Sequence, residues 1–562
     1  MLRFSQNPQE ADKQMRAVIF YLTTFGYIDG DFDDSEKAFV KNYIGGLVEG
    51  RVHAAVEESD AALRQELIGK YTTHFHEVFE NIDRQVRELF TESVAEGENQ
   101  SDFVQAKLKL RCFEIFKSFG KEDQDQLLDT VDELIQADGQ VHPAELKFRS
   151  ELAGLLVEDE LGVELVEEDT PLRPRVSSAE ITMVAQAEDH PFFGRIETHY
   201  KVDKLGGQVK TDRALLDRVM ELWDEQRKTG TGKLTGKKTV AEFAGQAPFL
   251  DGHVYVLPPR PGLGYEVTVL GDLHGCYSVL KAALMQADFL AKVNDYKADP
   301  TGKPYPLLVL LGDYIDRGMF SYNGVLRTAL QIFATVPDHV YVLRGNHEYY
   351  VEVKGNIYGG VKPAEAINTL KPHLGLDVFQ HYSRLFEQMP NMLLFGETLF
   401  VHAGIPRDSL IKERWKDLST LNDPDIRFQM MWSDPSSADV IPAKLQEQSA
   451  RFPFGRLQCQ AFLRRIGCHT LVRGHEKVEE GFRRTYDEPE QLLITLFSSG
   501  GKNNDDLPKN SGYRSVTPMA MTLKFKDGES EIIPWKVDYE RYNAPERNAF
   551  FKVSPEIQHR TE

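Results

Sequence analysis

Behind the apolar run VYVL (340–343) come Arg344, Gly345 and then Asn346, His347 and Glu348: an amide, an imidazole and a carboxylate side by side. The same succession recurs along the chain. YEVTVL leads into GDLHG (271–275), LLVLL into GDYIDRG (312–318), TLFV into HAG (402–404) and TLV into RGH (473–475). Together these clusters offer Asp272, His274, Asp313, Asn346, His402 and His475. Carboxylate, imidazole and amide donors suit borderline divalent ions, manganese first, with iron or zinc as alternatives. No cysteine stands among them, which argues against a closed structural zinc site. Two such ions about 3.5–4 Å apart can share one carboxylate, and Asp313 in the central cluster is the natural bridge. One cluster alone is usually turn or cap chemistry. Five in order, each behind an apolar run, point to one site.

For those groups to meet, the runs before them must be neighbouring strands. Short, wholly apolar runs are what a sheet covered on both faces requires, and LLITLF (492–497) adds another. In open α/β layers ligands bind beyond the carboxyl ends of the strands. The segment CYSVLKAALMQA (276–287) reads as a helix packing back on the sheet, and MAMTLKF and SEIIPWKV as closing strands. Gly271, Gly312 and Gly345 remove side-chain bulk where the backbone must turn sharply at the site.

The set GDLHG, GDYIDRG and GNHE (345–348) resembles the signature of the metallophosphoesterases, specifically the PPP-type Ser/Thr phosphoprotein phosphatases. MWSDP (431–435), FGRLQCQAFLRRIG (454–467) and RGHEKVEEGF (473–482) extend the likeness, which covers roughly 255–500. The resemblance implies an α/β metallophosphoesterase fold, a β-sandwich of two mixed sheets flanked by helices. It implies that Asp272, His274 and Asp313 hold one metal and Asp313, Asn346, His402 and His475 the other. A hydroxide bridging the metals would be the nucleophile, with His347 as general acid and Asp316 orienting its imidazole. Arg317 and Arg451 would clamp the phosphate beside Asn346, and Glu348 would buttress the loop. The sequence also departs from that family. HAG and RGH stand where it has HGG and RAH, and GGKNNDDLPKNSGYRS (500–515) replaces the loop whose tyrosine and cysteine border its substrate groove. That change leaves substrate choice open.

At 562 residues, with 41% hydrophobic and 27% charged residues, the chain is ordinary globular material for two to four domains. The net charge of −21 is uneven: residues 1–170 hold 37 acids against 17 bases. Such a region repels nucleic acid and suits a basic protein partner. Within it, FGYIDGDFDDSEKAF (25–39) and IQADGQVHPAELKF (135–148) share a helix–turn–helix pattern, with Asp29, Gly30, Phe32, Glu36 and Phe39 matching Asp138, Gly139, Val141, Glu145 and Phe148. Helical periodicity over 54–70, 77–92 and 102–119 completes an all-α reading. The paired turns resemble those of TerB-like domains. An EF-hand is excluded, because its sixth and twelfth positions here hold Asp34 and Val40. KTGTGKLTGKKT lacks the glycine spacing of a P-loop.

The expected organisation is an acidic helical domain over 1–165, a linker over 166–205, a catalytic domain over 206–545 and a tail over 546–562. No segment reaches the roughly 18 apolar residues of a membrane span, none at the start reads as a secretory signal, and the four cysteines form no CxxC pair. The expectation is a cytoplasmic protein. The function expected is hydrolysis of phosphomonoesters on Ser/Thr phosphoproteins. Two other readings stand beside it: a hydrolase of small phosphoesters such as dinucleoside polyphosphates, and a non-catalytic scaffold acting through the acidic domain.

Overall fold

Six helices make up most of the described N-terminal region: α1 (Pro8–Gly26), α2 (Asp34–Ala55), α3 (Ala61–Leu89), α4 (Gln100–Lys117), α5 (Lys121–Leu134) and α6 (Pro143–Glu158). The computed structural model describes residues 4–5, 7–30, 32–56, 60–92, 94–95, 97–137, 143–158, 175–177 and 182–560. The chain divides into two units, Met1–Glu164 with Ser436–Gly455, and Leu165–Pro435 with Arg456–Glu562.

In the first unit the DGDFDDSE stretch works as the sequence suggests. Gly30 takes a left-handed φ of 100°. Asp33 then caps α2, accepting from Ser35 N (2.7 Å) and Glu36 N (2.8 Å) while Glu36 Oε2 accepts from Asp33 N. Phe32 plugs the turn edge-on against Phe79. Of the second turn, Asp138, Gly139 and Val141 lie outside the described residues. Phe148 does not, and its ring meets that of Phe25 at 5.5 Å. The periodic segment 54–70 straddles the end of α2 and the start of α3.

This unit also takes in residues 436–455, which the sequence reading left inside the catalytic domain. Ile441 and Leu445 join the helical core. Ser436 Oγ donates to Glu114 (2.5 Å), and Ser449 Oγ to Glu98 (2.5 Å). Nothing local marks this, since the partners lie more than 300 residues away.

The second unit is built on two mixed sheets. The strands of these two sheets, in chain order, are β1 (Arg175–Val176), β2 (Phe249–Asp251), β3 (Val254–Leu257), β4 (Tyr265–Leu270), β5 (Tyr305–Leu310), β6 (Val340–Val342), β7 (Met392–Phe395), β8 (Thr398–Val401), β9 (Thr470–Arg473), β10 (Phe482–Glu488), β11 (Gln491–Leu496), β12 (Met519–Lys526) and β13 (Glu529–Lys536). One sheet has the order β1-β13-β12-β4-β5-β6, the other β10-β11-β9-β8-β7-β3-β2. β4, β5 and β6 run parallel, as do β8, β9 and β11, while β12 lies antiparallel to β4. Both sheets feed one core, where Tyr265 meets Phe395 at 5.3 Å and Tyr255 meets Tyr341 at 4.8 Å. Beyond the ends of β4 and β11 the two sheets touch through a bridge between Asp272 and Phe497. Gly271 permits it, because a Cβ there would sit 1.9 Å from Leu496 O. Helices α7 (Leu205–Gly230) and α8 (Tyr277–Gln286) lie in this unit, together with α9 (Glu365–Leu370).

Residues read as linker and tail contribute to this core. Phe193, Ile196 and Phe550 are buried in it. The wholly buried Lys281 on α8 explains why. Its ammonium is held by Glu197 (2.5 Å), Asp189 (2.9 Å) and the Arg547 carbonyl, and a buried charge needs such partners. Among the described residues, no helix is long and apolar enough to cross a membrane.

The N-terminus of α8 is tied down by Asp506, which accepts from Ser278 N (2.6 Å) and Ser278 Oγ (3.0 Å). Burial pushes the Asp506 carboxyl up to about 7, against the lowering effect of the Ser278 bonds. The folded chain therefore holds a proton that the unfolded chain has released, and stability falls as pH rises from about 4 to about 7. Denaturant unfolding at pH 5 and pH 8 should show Asp506→Asn losing less stability than the parent across that interval, by on the order of 2 kcal/mol. Equal losses would show that Asp506 is already ionised at pH 5.

Candidate functional site

The ends of five strands deliver the site. β4, β5 and β6 of one sheet carry the turns with Asp272 and His274, with Asp313, Asp316 and Arg317, and with Asn346, His347 and Glu348. β8 and β9 of the other carry His402 and His475. Every one of these residues except Arg317 is buried. Their backbone is unusual: His274, Asp313, Asp316, Arg317 and His475 all have positive φ, between 41° and 71°. Such conformations are costly for non-glycine residues and persist only where neighbours over-determine them. Here the turns lock one another. Leu273 N and His274 N donate to Asp313 O, and Gly275 N to Tyr314 O. Gly345 is needed where the second and third turns meet, since a Cβ would lie 2.2 Å from Asp313 Oδ1.

Glu348 is the tie between those turns. Its carboxylate accepts from Asp313 N (2.8 Å), Tyr314 N (2.8 Å), Gly345 N (3.1 Å) and Ile315 N (3.4 Å). Burial pushes its carboxyl up to about 7, although those four bonds favour the ionised form. The buttressing role expected from the sequence thus has a definite shape.

The donors converge around Asp313. His274 Nε2 lies 3.5 Å from Asp313 Oδ2 and 3.8 Å from Asp272 Oδ2, while its Nδ1 faces Ile315 O at 3.0 Å. His402 is arranged alike, with Nδ1 3.0 Å from Leu311 O and Nε2 3.4 Å from Asp313 Oδ1. A ring nitrogen that donates to a carbonyl leaves the other with a lone pair, so both Nε2 atoms point electron pairs inward. His475 Nδ1 is 3.2 Å from His402 Nε2, and Asn346 Oδ1 is 2.9 Å from His402 Nε2 and 3.2 Å from His475 Nδ1. Turned over, the Asn346 amide would donate to the same nitrogens and to Asp313.

Burial, then Asp272 and Glu348, pushes the Asp313 carboxyl well above its usual range. Burial, then His347 and Arg317, pushes His274 well below its own, and burial with Arg473 does the same to His402. Two groups of ligand atoms, from His274, Asp313 and His347 and from Asp313, His402 and His475, each lie within 4.8 Å of one another. Lone pairs aimed at one spot between crowded carboxylates and neutral imidazoles fit a divalent cation, which removes the repulsion that raises the Asp313 pKa.

Around this centre stand the remaining expected residues. His347 Nδ1 is 2.7 Å from Asp316 Oδ2, and its backbone N donates to Asp313 Oδ1 at 3.0 Å. Burial pushes Asp316 up to about 6, opposed by Arg317 and by the Ala366 amide. Arg317 Nη1 donates to both oxygens of Glu365, at 2.8 and 2.9 Å. Arg451 belongs to the helical unit, where its Nη1 lies 3.4 Å from Glu92.

These sequence motifs and this geometry agree with a family comparison, which matches residues 265–479 to the calcineurin-like phosphoesterases. Residues 265–479 form a calcineurin-like phosphoesterase domain. Among relatives, the domain region is 26% identical over 239 residues to a probable serine/threonine-protein phosphatase of Encephalitozoon cuniculi, covering 42% of this chain and 47% of that one. It is 24% identical over 237 residues to the serine/threonine-protein phosphatase 4 catalytic subunit of Eremothecium gossypii, covering 42% and 68%. The chain thus spans about half the length of the first relative and about two thirds of the second. A solved serine/threonine phosphatase from Saccharomyces cerevisiae, with similarity to human phosphatase PP5, is 19% identical, with a TM-score of 0.36 over 58% of this chain and 89% of that one.

Two contributors to the phosphoesterase site escaped the sequence reading. Tyr513 lies in the divergent loop, and its ring is 5.4 Å from that of His274 and 5.3 Å from Phe497. Burial pushes its phenol up, with Asp272 and Asp313 adding and Arg317 opposing. It stands in a loop without a ligand motif, so spacing gave no signal. The other is Arg473, fully buried between Asp434 (2.8 Å) of the WSDP segment and Glu476 (2.6 Å). The arginine stood in the quoted RGH motif, but its partner did not follow from spacing.

Removing the Glu348 carboxylate strands four buried amides at once. Glu348→Ala is expected to lower stability by roughly 3–5 kcal/mol and to weaken manganese binding. Denaturant unfolding and calorimetric titration read the two effects. A loss under about 1 kcal/mol with unchanged metal affinity would contradict the role.

Proposed function

We propose that this chain is a dinuclear-metal phosphomonoester hydrolase acting on Ser/Thr phosphoproteins. The observation that carries the reading is the His347–Asp316 pair at 2.7 Å, set beside the donors that gather on Asp313. Asp272, His274 and Asp313 would hold one divalent cation and Asp313, Asn346, His402 and His475 a second, manganese first and iron or zinc as alternatives, and the pair would supply Lewis acidity and a lowered water pKa at neutral pH.

The chain's own residues do the rest. Asp316 holds His347 by Nδ1, so that protonated Nε2 faces the site and gives its proton to the leaving oxygen. An ionised Asp316 raises the proton affinity of that imidazole. Arg317 meets the charge on the transferring oxygens with a guanidinium, whose forked donors suit phosphate, and Tyr513 adds a hydroxyl beside it. Asn346 lies close enough to both metal-binding histidines to bound the same space. The acidic helical region, by its charge, suits a basic protein partner.

A second reading, hydrolysis of small phosphoesters such as dinucleoside polyphosphates, draws on the divergent 500–515 loop that carries Tyr513. Manganese-supplemented protein tested on phosphoserine peptide, p-nitrophenyl phosphate and diadenosine tetraphosphate separates the two. His347→Ala should lower kcat on the peptide by about 10²–10⁴-fold. The loss on p-nitrophenyl phosphate should be much smaller, since nitrophenolate leaves without a proton. Equal losses on both would refute the acid role. Preference for the dinucleotide would install the second reading, and full activity of Asp313→Asn would remove both.

A further inference from the structure

Two consecutive residues of α9 face two consecutive residues of the GDYIDRG turn. Glu365 grips the Arg317 guanidinium, with Nη1 donating to Oε1 and Oε2 at 2.8 and 2.9 Å and to Pro363 O at 3.1 Å. Ala366 N, the next backbone amide, donates to Asp316 Oδ1 at 2.8 Å. The other oxygen of that carboxylate is the one on His347. The side chains of Arg317 and Glu365 are only 12% and 9% exposed, so the ion pair is scarcely screened by water. Asp316 and Arg317 themselves sit at φ 68° and 65°, a backbone conformation that needs outside support.

We infer that Glu365 is a positioning residue for phosphate recognition, fixing the plane of the Arg317 guanidinium while the adjoining Ala366 amide fixes Asp316. A guanidinium is useful to a phosphoryl group only when its fork is aimed, and a long side chain left to itself samples many rotamers. With Nη1 committed to a buried carboxylate, the rotation of the plane is set before substrate arrives. The first turn of α9 is thereby the common support of two functions, oxyanion binding and leaving-group protonation. It stands outside every motif that signals the site in the sequence. The Asp316 support runs through a backbone amide, so substitution of the Glu365 side chain separates the two functions.

This inference rests on the phosphoesterase reading, and inorganic phosphate binding tests it without requiring turnover. Calorimetric titration of manganese-loaded protein with phosphate is compared between the parent, Glu365→Gln, Arg317→Gln and the double variant, alongside KM and kcat on p-nitrophenyl phosphate. Glu365→Gln is expected to weaken phosphate binding and raise KM about tenfold, with kcat changed less than about threefold. In the Arg317→Gln background the same substitution should add nothing, because its effect passes through the arginine. The double variant removes both charges and keeps that comparison available if Glu365→Gln alone folds poorly. Tighter phosphate binding in Glu365→Gln would mean that the carboxylate competes with substrate, and would overturn the inference. So would an equal effect with and without Arg317. A parent that binds phosphate but hydrolyses nothing would sink the enzymatic reading while leaving the binding comparison decisive for Glu365. A parent that binds no phosphate would end both.

Discussion

Crowding of negative charge in a dry place governs this molecule. Asp272 and Asp313 are buried together at the ends of adjacent parallel strands, with Glu348 immediately behind. Burial first, and then the like charges of Asp272 and Glu348, drive the Asp313 carboxyl upward. The imidazoles beside them answer in the opposite sense and are kept neutral. An arrangement this unfavourable on its own becomes favourable when a cation lies at its centre.

Holding such a cluster is work for a rigid scaffold, and the two sheets share it. One brings the carboxylates and Asn346, the other His402 and His475, and the Asp272–Phe497 bridge joins the sheets where these side chains emerge. The positive φ angles at five site residues are tolerated because each turn is hydrogen-bonded to the next. Behind the first turn, α8 is fixed at one end by Asp506 and along its length by Lys281, whose partners come from residues 189, 197 and 547.

The legible parts of the sequence were those in which position and chemistry coincide locally. An apolar run followed by glycine, aspartate and histidine signals a strand, a turn and a ligand at once. That is why β4, β5, β6, β8 and β9 and the polar clusters behind them could be located from spacing. The helical N-terminal region was expected from its periodicity, and the two mixed sheets from the resemblance to the metallophosphoesterases. What escaped is what depends on distant pairing. Glu365 becomes meaningful only because it meets Arg317, 48 positions earlier. Tyr513 comes from a loop with no motif, and segment 436–455 finds its partners at Glu98 and Glu114. Residues 182–205 and 546–560 looked featureless because a buried aromatic and an ion-pair partner leave no period to detect.

Metal bound at Asp313 is the deciding observation. Crystals of the protein grown with manganese, measured on both sides of the manganese absorption edge, would locate it directly by anomalous scattering. Two peaks are expected, one among Asp272, His274 and Asp313 and one among Asp313, Asn346, His402 and His475. Peaks elsewhere, or none here at saturating manganese in an otherwise folded protein, would contradict it.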